Sequence, residues 1–303
     1  MQLGFVGLGK MGGNMVHRIL RDSDHQVVAF DFNADALKAA EGRGAAPATT
    51  LEELVQKLDK PRLVWLMVPS GDPTQQTIDA LAALLEPGDT IVDGGNSNWH
   101  DDVRRASELD AQGIHYIDVG TSGGVWGLDV GYCMMAGGHE DSVKRLAPIL
   151  DVLAPPDGWR HFGDAGAGHF VKMVHNGVEY GIMQAYAEGF ELMHKSKFPI
   201  EMAEVCALWN RGSVVRSWLC ELAERAFREE GNDLEGLRGH VSDSGEGRWT
   251  IMDAIDHDVP TPAITASLYA RFYSRDDGDY THRVLAALRN QFGGHAVERA
   301  AKG

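Results

Sequence analysis

Six consecutive residues, Gly7-Leu8-Gly9-Lys10-Met11-Gly12, set the terms for this chain. They follow a short apolar run at 3–6 and open an amphipathic stretch at 11–21. Glycines at these positions permit a tight turn and let backbone N–H groups approach a pyrophosphate at a helix N-terminus. The pattern alone is weak. Its context, with a strand before it, a helix after it and a second apolar run at 27–30 ending in an acid, makes it a dinucleotide fingerprint. That acid is Asp31. A carboxylate there accepts hydrogen bonds from ribose hydroxyls and repels a 2′-phosphate, and Phe32-Asn33 supplies no arginine to hold such a phosphate. NAD is therefore the expected cofactor. The plainer role for Asp31 is a helix N-cap.

Further along, the first half keeps alternating. Apolar runs at 63–68 and 90–92 read as strands, and stretches at 34–41, 73–85 and 141–152 as helices. The alternation predicts a doubly wound, Rossmann-like parallel sheet with helices on both faces. After Gly163-Asp164-Ala165-Gly166 the strand signals stop. One long helix is expected from 168 to about 195, and Pro199, Pro260 and Pro262 punctuate later ones. We therefore expect α/β architecture in two domains, a dinucleotide-binding domain at 1–164 and an all-helical substrate-binding and dimerisation domain at 165–303. Gly177 and Gly181 inside the long helix each cost about 1 kcal/mol against alanine, so close packing or ligand approach is the expected reason for them.

Composition excludes several classes. A chain of 303 residues with 44% hydrophobic content can build such cores and is not globally disordered. A net charge of −16 argues against nucleic-acid binding, and it requires that any anionic substrate be met by a few local cations. No apolar run approaches the roughly 20 residues of a membrane span, and the opening residues lack a signal-peptide pattern, so the cytoplasm is the expected location. Cys133, Cys206 and Cys220 are too scattered for a disulfide framework or a metal site, and they read as reduced, buried or half-buried thiols.

Ligand contacts are expected beyond the carboxyl ends of the strands. Val68 and Pro69 sit there, as does Asn96 in Asp93-Gly94-Gly95-Asn96-Ser97, although Asn96 is equally at home as a turn residue. The small-residue loop Ser122-Gly123-Gly124 either brings backbone donors to an anion or is simply a tight turn. Richest in chemistry is the segment from Gly168 to Gly181. If helical, it places Lys172, His175, Asn176 and Glu179 at i, i+3, i+4 and i+7 on one face, with Val171, Val174, Val178 and Ile182 opposite. Lysine and glutamate on one face offer a separate base and acid. A solvated charged stripe is the alternative.

At this helix the sequence resembles the 6-phosphogluconate dehydrogenases, whose catalytic signature is similar to GAGHFVKMVHNGVEYG at 166–181. The likeness extends over the whole chain: the glycine motif at 7–12, DGGNS at 93–97, the loop at 122–124, the stretch 131–138, Arg271 within Ala270-Arg271-Phe272-Tyr273-Ser274, and Arg289, Phe292, Gly293 and His295 near the end. The resemblance implies that Lys172 is the base for the substrate 3-hydroxyl and Glu179 the acid that protonates the enediol. It implies that Asn96, Ser122, Gly123, Gly124, His175, Asn176 and Tyr180 contact or orient substrate. It further implies that Arg271, Arg289 and His295 are the cations for phosphate and sugar. There are departures. The chain is much shorter than the NADP-using class, Asp31-Phe32 replaces that class's Asn-Arg pair, and Ser244 and Glu246 stand where the family has a substrate-contacting lysine and threonine. Arg248 or a neighbour is the candidate substitute.

The implied reaction is NAD-dependent oxidative decarboxylation of 6-phosphogluconate, without a metal, in a homodimer or tetramer whose Arg289 and His295 complete the partner's site. Two rivals stand beside it. A β-hydroxyacid dehydrogenase of the 3-hydroxyisobutyrate kind shares the Lys172–Asn176 pair but needs neither Glu179 nor a phosphate site. An NAD-sensing regulatory protein would bind without turnover.

Overall fold

The computed structural model describes residues 1–275, 281 and 284; Arg289 and His295 lie outside the described residues. The chain divides into two compact units, Met1–His175 and the residues from Asn176 onward.

The first unit is one eight-stranded sheet of order β3-β2-β1-β4-β5-β6-β7-β8. Its strands are β1 (Gln2–Val6), β2 (Gln26–Phe30), β3 (Ala46–Pro47), β4 (Leu63–Leu66), β5 (Thr90–Asp93), β6 (His115–Ser122), β7 (Cys133–Gly138) and β8 (Trp159–Gly163). Between them run α1 (Lys10–Asp22), α2 (Ala34–Glu41), α3 (Leu51–Gln56), α4 (Asp72–Ala82), α5 (Trp99–Asp110), α6 (Gly127–Val130) and α7 (Glu140–Leu153). The central strands are apolar on both faces because both are covered, as in parallel sheets generally. Leu3, Phe5, Val27, Ala29, Leu63 and Trp65 point to one core with Met15 and Ile19 of α1 and Leu146 and Ile149 of α7. Val6, Val28, Phe30, Val64 and Leu66 point to the other with Leu54 of α3 and Ile78 and Leu81 of α4. This is the period-2 alternation of a strand expressed as two cores.

The expected strands and helices of the first half are present, and the sheet continues past them. β7 runs antiparallel to β6, pairing Ile117 with Gly138 and Ser122 with Cys133. A parallel neighbour needs a crossover of a dozen or more residues, and the connection at 123–132 is too short. The helix expected at 141–152 is α7, and it leads on to β8, parallel to β7. β8 escaped the sequence reading because Trp159-Arg160-His161-Phe162-Gly163 is only partly buried and mixes polar with apolar residues. β3 is two residues ending in proline, which suits an edge.

From residue 167 on, the described elements are all helices: α8 (Ala167–His194), α9 (Met202–Trp209), α10 (Trp218–Glu230), α11 (Glu246–Asp256) and α12 (Pro262–Arg275). α8 begins in the first unit and ends in the second. No described helix is long and apolar enough to cross a membrane. Cys206 and Cys220 are buried free thiols, but Cys133 is exposed, against the expectation. It heads β7 at the margin of the sheet.

Candidate active site

Strand order reverses at β1 and β4, and there the connections diverge to leave a crevice beyond the strand ends. A cavity of about 570 Å³ occupies that place. Gly7, Gly9, Lys10, Met11, Gly12, Asp31, Phe32, Val68, Pro69 and Asn96 line it as expected. Leu8 does not; its side chain is buried at 5% exposure and only its backbone serves the site. Leu8 turns instead into the core that α1 covers. The glycines divide the work. Gly7 has φ +94°, and a Cβ there would lie 2.4 Å from the Met67 carbonyl. A Cβ on Gly12 would lie 2.0 Å from the Gly7 carbonyl, so this glycine lets α1 close onto the turn. Gly9 has nothing within 4 Å of such a Cβ, leaving backbone open for a phosphate at the start of α1. These residues fit a bound dinucleotide.

Asp31 is not a helix cap. Asn33 caps α2, its Oδ1 accepting from the N–H groups of Asp35 and Ala36. The Asp31 carboxylate accepts from the backbone N–H of Leu8 and of Asn33, at 2.5 and 2.7 Å. It is thereby held at the crevice, bridging the glycine turn to the end of β2. Phe32 is 93% exposed at the rim, edge-on to Phe30.

Behind Asn96 lies a buried polar network that the sequence reading missed. Asp93 ends β5 and holds its own turn: Gly95 N–H donates to Oδ1 at 3.0 Å and Ser97 Oγ to Oδ2 at 2.6 Å. Tyr116 Oη and Arg105 Nη1 also donate to Oδ2. Tyr116 Oη lies 2.8 Å from Asp102, whose other oxygen is 2.7 Å from His169 Nδ1. His169 Nε2 reaches the Gly95 carbonyl at 3.0 Å. Asp118, in the middle of β6, accepts from the N–H groups of Gly166 and His169 at 2.7 Å each and so caps the start of α8. Burial disfavours the charged imidazole, but attraction to and hydrogen bonding with Asp102, aided by Asp93 and Asp118, overcome it and raise the His169 pKa to about 10. Burial raises the Asp118 pKa to about 6, against the pull of His169. Ligand atoms of Asp93, Asp102 and His169 lie within 4.8 Å of one another. They are already engaged with Ser97, Tyr116, Arg105 and Gly95, and the cluster reads as a closed set of ion pairs. The signal that could have exposed it was a charged residue, Asp118, inside the apolar strand Tyr116-Ile117-Asp118-Val119.

α8 starts so close to β6 and β7 that glycines are obligatory. A Cβ on Gly168 would lie 2.4 Å from the Met135 carbonyl, and one on Gly120 would lie 2.3 Å from Lys172 Cβ. Lys172 is thus 7% exposed with its stem laid on a bare strand. Ser122 Oγ lies 3.4 Å from His175 Nε2, which brings the small-residue loop to the same helix. The lysine face of α8 is not a solvated stripe: Lys172, Asn176 and Tyr180 are all buried, and Glu179 is half-buried. On the opposite face, Val178 is 47% and Ile182 42% exposed. Gly123 has φ +142° and a Cβ there would press on Tyr132, while Gly124 is open.

The second unit holds its own polar cluster. The Arg271 guanidinium stacks 3.4 Å from the Tyr180 ring centroid and donates to the Ser242 carbonyl. Gly247 packs on the same ring, where a Cβ would lie 2.7 Å from it. Arg248, the candidate substitute cation, is paired: Asp243 binds it through both carboxylate oxygens and also pairs with Arg275. Hydrogen bonding from Arg248 lowers the Asp243 pKa. Ser244 Oγ donates to Glu246 Oε2, and Glu246 is buried. Gly177 is explained by packing, since a Cβ there would lie 2.8 Å from Thr250. Gly181 is not, having nothing within 4 Å.

Comparison with known proteins agrees along the whole chain. The pattern for the NAD binding domain of 6-phosphogluconate dehydrogenase matches residues 2–163, and that for the 6-phosphogluconate dehydrogenase C-terminal domain matches residues 168–291. An NAD(+)-dependent, decarboxylating 6-phosphogluconate dehydrogenase of Haloferax volcanii is 47% identical over 300 residues, 99% of both chains. The structure of Plasmodium falciparum 6-phosphogluconate dehydrogenase superposes with a TM-score of 0.83 at 25% identity, covering all of this chain and 67% of that one. Mycobacterium tuberculosis 3-hydroxyisobutyrate dehydrogenase, at 23% identity and a TM-score of 0.72 over 93% of this chain and 98% of that one, shares the fold. The first unit is an NAD-binding domain of this lineage, and the chain belongs to the 6-phosphogluconate dehydrogenase family.

Proposed function

We propose that this protein oxidatively decarboxylates 6-phospho-D-gluconate to D-ribulose 5-phosphate and CO2. NAD, when bound, supplies the hydride acceptor for C3. Lys172 as the free amine takes the proton of the 3-hydroxyl. The 3-keto acid then loses its carboxylate as CO2, because the adjacent carbonyl accepts the electron pair, and the Lys172 ammonium returns its proton to that oxygen to give the enediol. Glu179 donates a proton to the enediol carbon that becomes C1 of the ketose, while the Lys172 amine takes the proton of the neighbouring enediol hydroxyl so that the C2 carbonyl forms. His175, Asn176, Asn96, Tyr180 and the loop Ser122-Gly123-Gly124 orient the sugar acid, and Arg271 meets the phosphate. Asp31 and the glycine turn hold the cofactor and select NAD.

The observation that carries this reading is the burial of Lys172 against Gly120 on the helix that also bears Glu179. We place the functional boundary at 164/165, between the two matched family segments. The test is an assay with 6-phosphogluconate and NAD that follows NADH and CO2 together. The proposal expects one CO2 per NADH. Turnover of a non-phosphorylated hydroxyacid to NADH without CO2 would support a β-hydroxyacid dehydrogenase instead, and binding without turnover would support a sensor.

The assembly we propose is a cytoplasmic homodimer or tetramer in which Arg289 and His295 complete the partner's site. Exposed Val178, Ile182, Leu208 and Trp218 support a self-complementary contact. Mixing Lys172→Met and Arg289→Ala subunits under exchange should restore part of the activity. No recovery despite demonstrated exchange would return Arg289 to its own subunit's site or to none.

A further inference from the structure

His169 stands in the first turn of α8, one turn before Lys172, and is 1% exposed. Both of its ring nitrogens face acceptors. A carbonyl oxygen can only accept, so Nε2 carries a proton for Gly95, and the carboxylate of Asp102 holds a second proton on Nδ1. The ring is an imidazolium. A cation in the first turn of a helix opposes the helix dipole, and the position is tolerated because Asp102 and Asp118 surround it. The two bonds differ in what they connect. Asp102 is on α5, and its bond holds the ring. The Gly95 bond reaches the turn that presents Asn96 at the wall of the cofactor crevice. That turn is already tied to β5 through Asp93, and the His169 bond ties it to α8 as well.

We propose that His169 is a positioning residue whose Nε2–H, bonded to the Gly95 carbonyl, sets the distance between the Asn96 turn and the helix that carries Lys172. The cofactor's hydride-accepting end and the base must be aligned to within a fraction of an ångström for hydride transfer, and a misplacement of about 1 Å can cost roughly 100-fold. The inference rests on the function proposed above for the kinetic consequence, and not for the geometry.

The two amide side chains separate the bonds. Glutamine places its terminal nitrogen near the site of Nε2 and keeps the Gly95 bond, whereas asparagine places its nitrogen near Nδ1 and keeps only the Asp102 bond. His169→Asn should lower kcat by about 10- to 100-fold and raise KM for NAD, while His169→Gln stays within about threefold of wild type in both. Thermal unfolding of the two variants, each having lost the same charge, should be similar. The reverse order, or equal losses that follow unfolding temperature, would overturn the proposal. Should the asparagine variant not fold, Asp102→Asn carries the test. It leaves a neutral imidazole still donating to Gly95, so kcat should hold within about threefold, and a loss of tenfold or more would overturn the proposal. NADH affinity, read by fluorescence titration, needs no turnover: weaker binding in His169→Asn but not in His169→Gln is expected even if 6-phosphogluconate proves not to be the substrate. Unchanged NADH affinity in His169→Asn would overturn the positioning role.

Discussion

The two units bury their apolar residues to different degrees. In the first, Leu3, Phe5, Ile19, Trp65, Leu66 and Ile91 are wholly inaccessible, and both faces of the sheet are sealed by helices. In the second, the buried apolar cluster among described residues is Phe190, Met202, Cys206 and Cys220, while Val214 at 99%, Leu208 at 69% and Ile255 at 69% face outward. Burial is worth about 25 cal/mol per Å² of apolar surface, and a helical unit that leaves this much uncovered has reason to bind something. The contrast teaches where precision lies. The first unit covers its own sheet and fixes the cofactor crevice and Lys172. The second offers the Tyr180–Arg271 cluster and exposed apolar surface whose covering we assign to a second copy.

If that contrast is right, the largest effect should come from the first unit. Lys172→Met should reduce hydride transfer by about 10²- to 10⁴-fold while leaving NADH affinity near normal. A variant that kept wild-type burst kinetics would end the assignment. Next comes the cofactor. Removing the Asp31 carboxylate together with an arginine at position 32 should shift the ratio of kcat/KM toward NADP by about 10- to 100-fold. A wild-type protein that already prefers NADP would break the argument from Asp31. In the second unit, Leu208→Glu should leave the circular dichroism of the fold intact and weaken self-association by about tenfold or more, as seen in sedimentation, since a charge cannot be buried there without cost. Unchanged association would remove Leu208 from the proposed contact.

Smaller effects sharpen the picture of the buried network. The folded-state pKa of His169, raised to about 10, exceeds its ordinary value of 6.5. The folded protein therefore keeps a proton that the unfolded chain releases as pH rises. The stabilisation is whole below pH 6.5 and is lost as pH climbs toward 10. Wild type should lose thermal stability across that window, and His169→Gln should show a flatter profile; identical slopes would contradict the imidazolium. Smallest of all, Asn33→Ala should destabilise by about 1 kcal/mol in chemical denaturation, because two N–H groups at the start of α2 lose their acceptor. No change would mean that water replaces the cap without cost.

How much of this was readable beforehand follows the same division. The glycine turn, Asp31 beside it and the central strands were legible because period-2 burial and the Gly7–Gly12 spacing are local properties. β8 was not, since its burial alternates but its residue types do not follow, with Phe162 facing outward and His161 inward. The catalytic face of α8 could be listed from helical spacing, but its burial could not. Spacing says which residues share a face, while only Gly120, Gly137 and Gly168, contributed from three separate elements, determine that Lys172 lies against the sheet. The Asp93–Tyr116–Asp102–His169 chain was invisible for the same reason: its members come from β5, β6, α5 and α8 and meet only once those elements pack. Arg248 shows the converse. Residue type suggested a free cation, and the structure pairs it with Asp243, a carboxylate that it shares with Arg275.

If α8 carries both a base and a separate acid for a decarboxylation, isotope labelling of the product will show it. Turnover of 6-phosphogluconate and NAD in D2O should yield ribulose 5-phosphate with one deuterium at C1, in a single configuration by NMR. In Glu179→Gln, formation of the ketose should slow by about 10²-fold or more relative to CO2 release, and the deuterium should become distributed over both configurations as solvent protonates the enediol. Stereospecific labelling at an undiminished rate in Glu179→Gln would contradict the acid role, and NADH formation without CO2 in wild type would contradict the reaction itself.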